Sequence, residues 1–380
     1  MKLLFILLQV VFIGNYHADT IPKKGIQFQT TQEINQIFDC ANQQLKSDEV
    51  LLLLTDMEKQ LNGSMLYGKG DSIIYEKWIG YKKLSKVGNQ KEKITKESLF
   101  NLASLSKQFT AAAILLLASQ DKLDLDDPIT KYLPSLPYSR VTIKNLLTHT
   151  SGLPEYLNYE KYFNKNIPYT NQKVINYFAA RVPASKVVPN REFKYINTNY
   201  VFLASIVEKI TGEKFEDYSR KNLFIPAGMT NTFFYTELSD ISNIDLCEGH
   251  LRNKSQVSDN ILNSVVGDKS LYSTAEDLFK WYIAFFIEYK ILSKEWVELA
   301  ITPQNYIKGK LPNDLYGYGF RIENNPQTGT LVYHGGLWRG FHHVMTFRPK
   351  DQLFILFLSN YRNRAHNGKT NELLEILEGV

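Results

Sequence analysis

Apolar and polar residues alternate along this chain with two periods, and the change of period divides it. In "GSMLYGKGDSIIYEKWIGYKKL", strand formers at Ile73, Ile74, Tyr75 and Trp78 follow turn residues at Gly68 to Asp71, which predicts a β-hairpin. The preceding residues 32–60 read as helix. In "LFNLASLSKQFTAAAILLLASQ", Leu99 to Gln120, the residues Phe109, Ala113, Leu116 and Leu117 recur at helical spacing as a core-facing stripe. Pro128 and Pro134 end that helix. From Val141 to about Thr236 the pattern is mostly helical, as in "NYVFLASIVEKITG" closed by Gly212. "STAEDLFKWYIAFFIEY" opens a further helix, with Ser273 and Glu276 as its capping box. The period then shortens. "YGYGFRIE", "GTLVYHGG", "FHHVMTFRP" and "QLFILFLSN" are short aromatic or β-branched runs separated by turn residues, the pattern of an antiparallel sheet, and "NELLEILEG" closes the chain as a helix.

Strands at both ends with helices between predict an α/β chain of the α+β type. An antiparallel sheet is built from N- and C-terminal segments and flanked by helices, and a mainly helical lobe is inserted. The expected boundaries are a leader at 1–18, a first part of the sheet lobe at 19–125, a helical lobe at 126–264 and the rest of the sheet lobe at 265–380.

The leader "MKLLFILLQVVFIGNYHADT" carries Lys2 and then an apolar run broken only by Gln9, too short for the roughly 20 residues of a spanning helix. It predicts export to the periplasm or medium, and membrane attachment only if this segment is left uncleaved. Composition is ordinary for a globular chain of 380 residues, 44% hydrophobic and 22% charged. A net charge of +5 with scattered lysines shows no nucleic-acid footprint. Cys40 and Cys247 allow one bridge, but two free thiols are the expectation, and their spacing suits neither zinc nor a redox pair. His342 and His343 are adjacent on a strand and face opposite sides, so no shared metal is expected, and no cofactor.

Candidate chemistry sits at the head of the Leu99–Gln120 helix. Ser104 and Lys107 are three apart and project from one helical face, close enough to exchange a proton. S-x-x-K alone is weak, since Ser119 and Lys122 form a second copy, and Y-x-N begins at Tyr156, Tyr162, Tyr169, Tyr195 and Tyr361. Order carries more. A Ser-Leu-Ser-Lys helix head precedes "YINTNYVFLASIVEKITG", which precedes "YHGGLWRGF".

In these segments the chain resembles the serine β-lactamase and penicillin-binding family, most closely its class C-like branch, which includes esterases and D-amino-acid peptidases. The resemblance runs in order over roughly residues 63–378 and takes in "LLTHTSGLP" and "YGYGF". It implies Ser104 as nucleophile and Lys107 as its activating partner. Tyr195 and Asn197 supply the second motif, and His334, Gly335 and Gly336 the third. The base is left open between a Lys107 made neutral by burial and a Tyr195 phenolate, titrating as a unit. Asn197 fixes Lys107 or holds a substrate amide. The amides of Ser104 and Leu337 form the oxyanion hole, with the glycines admitting substrate backbone. His149 in "LTHTSG" is expected to be structural.

Lactamases of this branch usually carry Lys-Thr-Gly where this chain has His334-Gly335-Gly336, so the anchor for a β-lactam carboxylate is weakened, and Arg339 is the candidate to restore the charge. The expected substrates are small esters, amides or short peptides with D-residues, cleaved through an acyl-enzyme on Ser104. A slowly deacylating penicillin-binding protein or weak β-lactamase, or a non-catalytic binder of cell-wall fragments, fits the same residues.

Overall fold

In the computed structural model the two termini of the sequence pattern meet in one sheet. The structure describes residues 49–378, apart from 51, 54, 57–60, 85–91, 164–166, 241–242, 258–259, 305–314, 327 and 363–368. The leader, Cys40 and most of the helix expected over 32–60 lie outside the described residues. Residues 49–50, 52–53 and 55–56 of that stretch are helical. The described residues of 60–370 form one compact unit, and those of 49–59 and 371–378 belong to another. No helix among the described residues is long and apolar enough to cross a membrane.

The strands are β1 (Gly63–Lys69), β2 (Ser72–Ile79), β3 (Phe100–Asn101), β4 (Phe233–Phe234), β5 (Leu271–Ser273), β6 (Leu315–Tyr316), β7 (Arg321–Asn325), β8 (Gly329–Trp338), β9 (Phe341–Arg348) and β10 (Leu353–Ser359). Seven of them form an antiparallel sheet in the order β2-β1-β10-β9-β8-β7-β6. β10 is buried along its whole length, as a central strand covered on both faces must be. β3, β5 and β4 make a second, small sheet. The expected hairpin is β1–β2, turning at Gly70 and Asp71 with a register shift at Tyr67/Gly68.

The helices used below are α1 (Lys107–Ser119), α2 (Ile143–Leu147), α3 (Asn171–Arg181), α4 (Asn197–Thr211) and α5 (Ala275–Tyr282). The closing helix, Lys369–Glu378, is present as expected. α4 ends at Gly212, whose φ of 72° gives the left-handed cap that glycine adopts without strain.

Three local expectations are corrected. α1 is not striped but buried on nearly all sides, with Leu116 only half-buried while Lys107, Gln108 and Thr110 are inside. Its interior polar groups are satisfied: Gln108 accepts from Trp281 Nε1 at 2.9 Å and donates to the Leu105 carbonyl at 3.0 Å, and Thr110 donates to the Gly267 carbonyl at 2.7 Å. Ser104 does not head an α-helix but lies in a 3-10 turn, Ala103–Ser106, that leads into α1. The cap of α5 is Thr274, which accepts from the Asp277 amide at 3.1 Å; Ser273 belongs to β5 instead.

Candidate active site

The turn bearing Ser104 is held from below by the small sheet. β3 pairs with β5, the Leu102 amide donates to the Leu271 carbonyl at 2.8 Å, and Asn101 Oδ1 accepts from the Ala103 amide at 2.9 Å. Ala103 adopts a φ of 50°, a left-handed conformation costly for a residue with a Cβ. That kink presents Ser104 half-exposed above a fully buried Lys107.

Lys107 Nζ has three oxygen neighbours: Ser104 Oγ at 3.0 Å, Asn197 Oδ1 at 2.8 Å and the Asp268 carbonyl at 2.9 Å. Burial lowers its pKa to about 8, against the fields of Asp268 and Glu155, which favour the ammonium, while Arg321 adds to the lowering. A neutral amine has two N–H bonds and one lone pair. Asn197 and Asp268 offer only acceptors, so they take both N–H bonds, and the lone pair is left for the Ser104 hydroxyl.

Asn197 is oriented by a residue that the sequence reading passed over. Glu155 Oε2 accepts from the Asn197 amide and from Asn197 Nδ2, both at 2.9 Å, which turns Oδ1 toward Lys107. Burial raises the pKa of this carboxyl. Next to it, Tyr156 donates to Asp268 at 3.1 Å and accepts from the buried Lys269 ammonium. Asp268 and Lys269 are the two charged residues in the run "VVGDKSLY", a signal that could have marked them.

On the opposite flank stand rings. The Tyr195 ring faces Lys107 Nζ at 4.9 Å, and its hydroxyl is buried, with no hydrogen bond of normal geometry among the described residues. Burial raises its pKa strongly, and the neighbouring Ser104 hydroxyl offsets only part of that. His149 Nδ1 accepts from the Ile196 amide at 3.1 Å, so Nε2 carries the proton and can donate to Tyr316, 3.3 Å away. Tyr316 in turn donates to His334 Nε2 at 3.2 Å, and His334 Nδ1 donates to the Gly335 carbonyl at 2.7 Å. Burial holds both imidazoles neutral, with pKa values well below 6.5. His149 is structural as expected, and its structural work is to hold the backbone entering Asn197.

β8 borders this site. β7 begins at Arg321, opposite Tyr333, so from His334 to Trp338 β8 pairs with β9 on one side, and among the described residues no strand pairs with the other. Leu337 is 48% exposed there. The two glycines differ. A Cβ on Gly336 would come within 2.5 Å of the Leu102 carbonyl oxygen, so Gly336 is required for β8 to lie against the Ser104 turn. A Cβ on Gly335 would meet only the His343 carbonyl at 3.5 Å, an ordinary contact.

The structure therefore gathers Ser104, Lys107, Tyr195, Asn197 and His334, with Gly336 and Leu337 on the adjoining strand. Arg339 lies farther along the chain. It occupies the β8–β9 turn with a φ of 44°, five residues beyond His334, about 16 Å of extended chain. Its carbonyl packs toward Gly249. Arg321, at the start of β7, has its guanidinium 5.4 Å from the Tyr195 ring and is the arginine whose charge acts on His334 and Lys107. Arg321 follows "YGYGF" directly, but nothing in its spacing distinguished it. His343 is a satisfied interior histidine: Nδ1 accepts from the Ser359 amide at 3.0 Å and Nε2 donates to the Asn101 carbonyl at 2.7 Å.

The match to the Beta-lactamase family model spans residues 54–378, most of the chain. The chain belongs to the Beta-lactamase family. Within it, the chain is 32% identical over 316 residues to penicillin-binding protein 4* of Bacillus subtilis, covering 79% of this chain and 68% of that protein. A penicillin-binding protein from Bacillus halodurans has a similar structure, with a TM-score of 0.73 at 26% identity over 86% of this chain and 98% of the other. The D-amino acid amidase from Ochrobactrum anthropi SV3 shares the fold, with a TM-score of 0.68 at 22% identity over 88% of this chain and 96% of its own. Membership makes the protein a serine hydrolase, and its α+β architecture is that of this family.

Proposed function

We propose that this family member hydrolyses small esters, amides or short peptides with D-residues through an acyl-enzyme on Ser104, with Lys107 as the base. The observation that carries the reading is the placing of Lys107 Nζ, 3.0 Å from Ser104 Oγ with two fixed acceptors for its N–H bonds, together with burial that lowers its pKa. Oγ attacks the substrate carbonyl carbon as its proton passes to Nζ. The resulting oxyanion is held by the amides of Ser104 and Leu337, each donor contributing on the order of 3 kcal/mol. As the bond to the leaving group breaks, that group takes a proton from the Lys107 ammonium or, relayed, from the Tyr195 hydroxyl. Water then attacks the acyl carbon as it gives a proton to the neutral Lys107 amine; the bond to Oγ breaks, Oγ takes that proton back, and the carboxylic acid leaves. Tyr195 is too weak an acid to act as the initial phenolate base, since burial raises its pKa rather than lowering it.

The substrate class is supported by a neutral His334 at the third motif, which gives a β-lactam carboxylate no fixed charge there; the cation in reach is Arg321. The penicillin-binding relatives and the apolar leader support an exported, envelope-facing location. A fluorophosphonate probe tests the assignment. Labelling should map to Ser104, vanish in Ser104→Ala and persist in Ser119→Ala, because Ser119 Oγ only donates to the Leu116 carbonyl at the exposed end of α1. Loss of labelling in the Ser119 variant, or none in the wild type, would overturn it.

A further inference from the structure

A cleft of about 340 Å³ opens in the helical region, between the loop that leads into Glu155 and the segment that leads into Tyr195. Its cationic lining is Arg181, Lys186, Arg191 and Lys194, against one carboxylate, Glu192. Elsewhere on the surface cations are commonly matched, as in Arg220–Glu237, Lys131–Asp127 and Lys280–Glu276. Among the described residues none of the four cleft cations is in an ion pair. Leu153, Val182 and Val188 supply apolar wall between them. A concave surface with one dominant sign of charge and low-dielectric walls concentrates its field on whatever enters.

The cleft is also built rather than incidental. The Asn190 amide donates to the Thr150 carbonyl at 2.8 Å and the Lys194 amide to the His149 carbonyl at 2.9 Å. Asn145 Nδ2 donates to Asn190 Oδ1. Gly152 lies so close to Val188 that a Cβ there would fall 2.4 Å from the Val188 carbonyl oxygen. These ties bind the cationic segment to the loop that carries His149 and Glu155, so one rigid piece of chain presents both the cleft cations and the site residues Tyr195 and Asn197.

We propose that this cleft is a recognition subsite for a carboxylate- or phosphate-bearing part of the substrate. The word substrate rests on the hydrolase reading; anion binding does not. Each exposed cation contributes little alone, so recognition is collective and falls as salt screens the field.

Two measurements separate the ideas. Isothermal titration of the Ser104→Ala protein with inorganic phosphate and with glutarate reads binding without turnover and distinguishes phosphate from carboxylate. At least one should bind, and the doubly reversed Lys186→Glu/Arg191→Glu variant of the same protein should bind it at least about tenfold more weakly. p-Nitrophenyl monoesters of dicarboxylic acids from four to ten carbons, set against the matching neutral acyl esters, read substrate preference. The anionic-to-neutral ratio of kcat/KM should exceed one at a chain length that spans to the cleft. It should drop about tenfold in the doubly reversed variant and decline between 0.05 and 0.5 M NaCl as exposed charges are screened over about 10 Å or less. Neither anion bound, binding unaffected by charge reversal, or a ratio at or below one for every length would overturn the subsite. Ester hydrolysis with no anion binding would leave the hydrolase reading standing while removing the subsite, and anion binding without any serine labelling would do the reverse.

Discussion

The two flanks of Ser104 are built from different materials. On the helical flank, Lys107 is tied by direct hydrogen bonds to Asn197 and the Asp268 carbonyl, and Glu155, Asp268 and Lys269 surround it with buried charge. On the sheet flank, Tyr195, His149, Tyr316 and His334 form a neutral ring cluster whose cation, Arg321, stands at the rim. The difference separates two tasks. Buried charges in a low dielectric set a proton affinity strongly, which suits the flank proposed to take a proton from Ser104. Neutral rings held by single hydrogen bonds set shape and donor direction, which suits the flank proposed to meet the substrate.

The largest effect should come from removing the proton acceptor. Lys107→Ala should lower kcat/KM at least about a thousandfold, comparable to losses when a unit of a nucleophile–base pair is removed. In the wild type, kcat/KM should rise with pH through about 8, because deprotonation produces the neutral amine that accepts the Ser104 proton. A rate that falls across that range would contradict a lysine base.

Tyr195→Phe should cost about a hundredfold in kcat and leave the limb near pH 8 in place, since the ring flank is assigned no part in the first proton transfer. Disappearance of that limb in the phenylalanine variant would move the base from one flank to the other.

Glu155→Gln sharpens the comparison, because it keeps an acceptor for Asn197 while removing a negative charge that favours the Lys107 ammonium. Its pH limb should shift below 8, measured as kcat/KM against pH, and Glu155→Ala should in addition lose about tenfold in kcat as Asn197 loosens. An unchanged limb in both variants would make Glu155 merely structural.

On the ring flank a change of about the same size is expected, confined to selectivity. His334→Lys should favour anionic β-lactams over neutral esters by about 1 to 2 kcal/mol, read as the ratio of kcat/KM for a chromogenic cephalosporin and a p-nitrophenyl ester. A wild type that already cleaves the cephalosporin as well as esters would show that this histidine does not set preference.

The sequence by itself determined the elements and their grouping: a hairpin at one end, short strands at the other, helices between, and Ser104 with Lys107 one turn apart. Those features depend on local spacing, and spacing of residues three apart or two apart survives whatever the rest of the chain does. It also carried the motif order that brings Tyr195 and Asn197 to the same place. Tertiary structure decided the rest. Whether Ser104 caps a helix or rides a kinked 3-10 turn depends on the β3–β5 pairing beneath it, between residues far apart in sequence. Arg321 reaches Tyr195 and acts on His334 because β7 lies beside β8, a register that no local pattern encodes. Gly336 is fixed by the Leu102 carbonyl and Glu155 by Asn197, long-range contacts that leave no periodic trace. The lowered pKa of Lys107 likewise exists only once burial has removed water from it, because a lysine on an exposed helix face, with the same neighbours in sequence, keeps its charge.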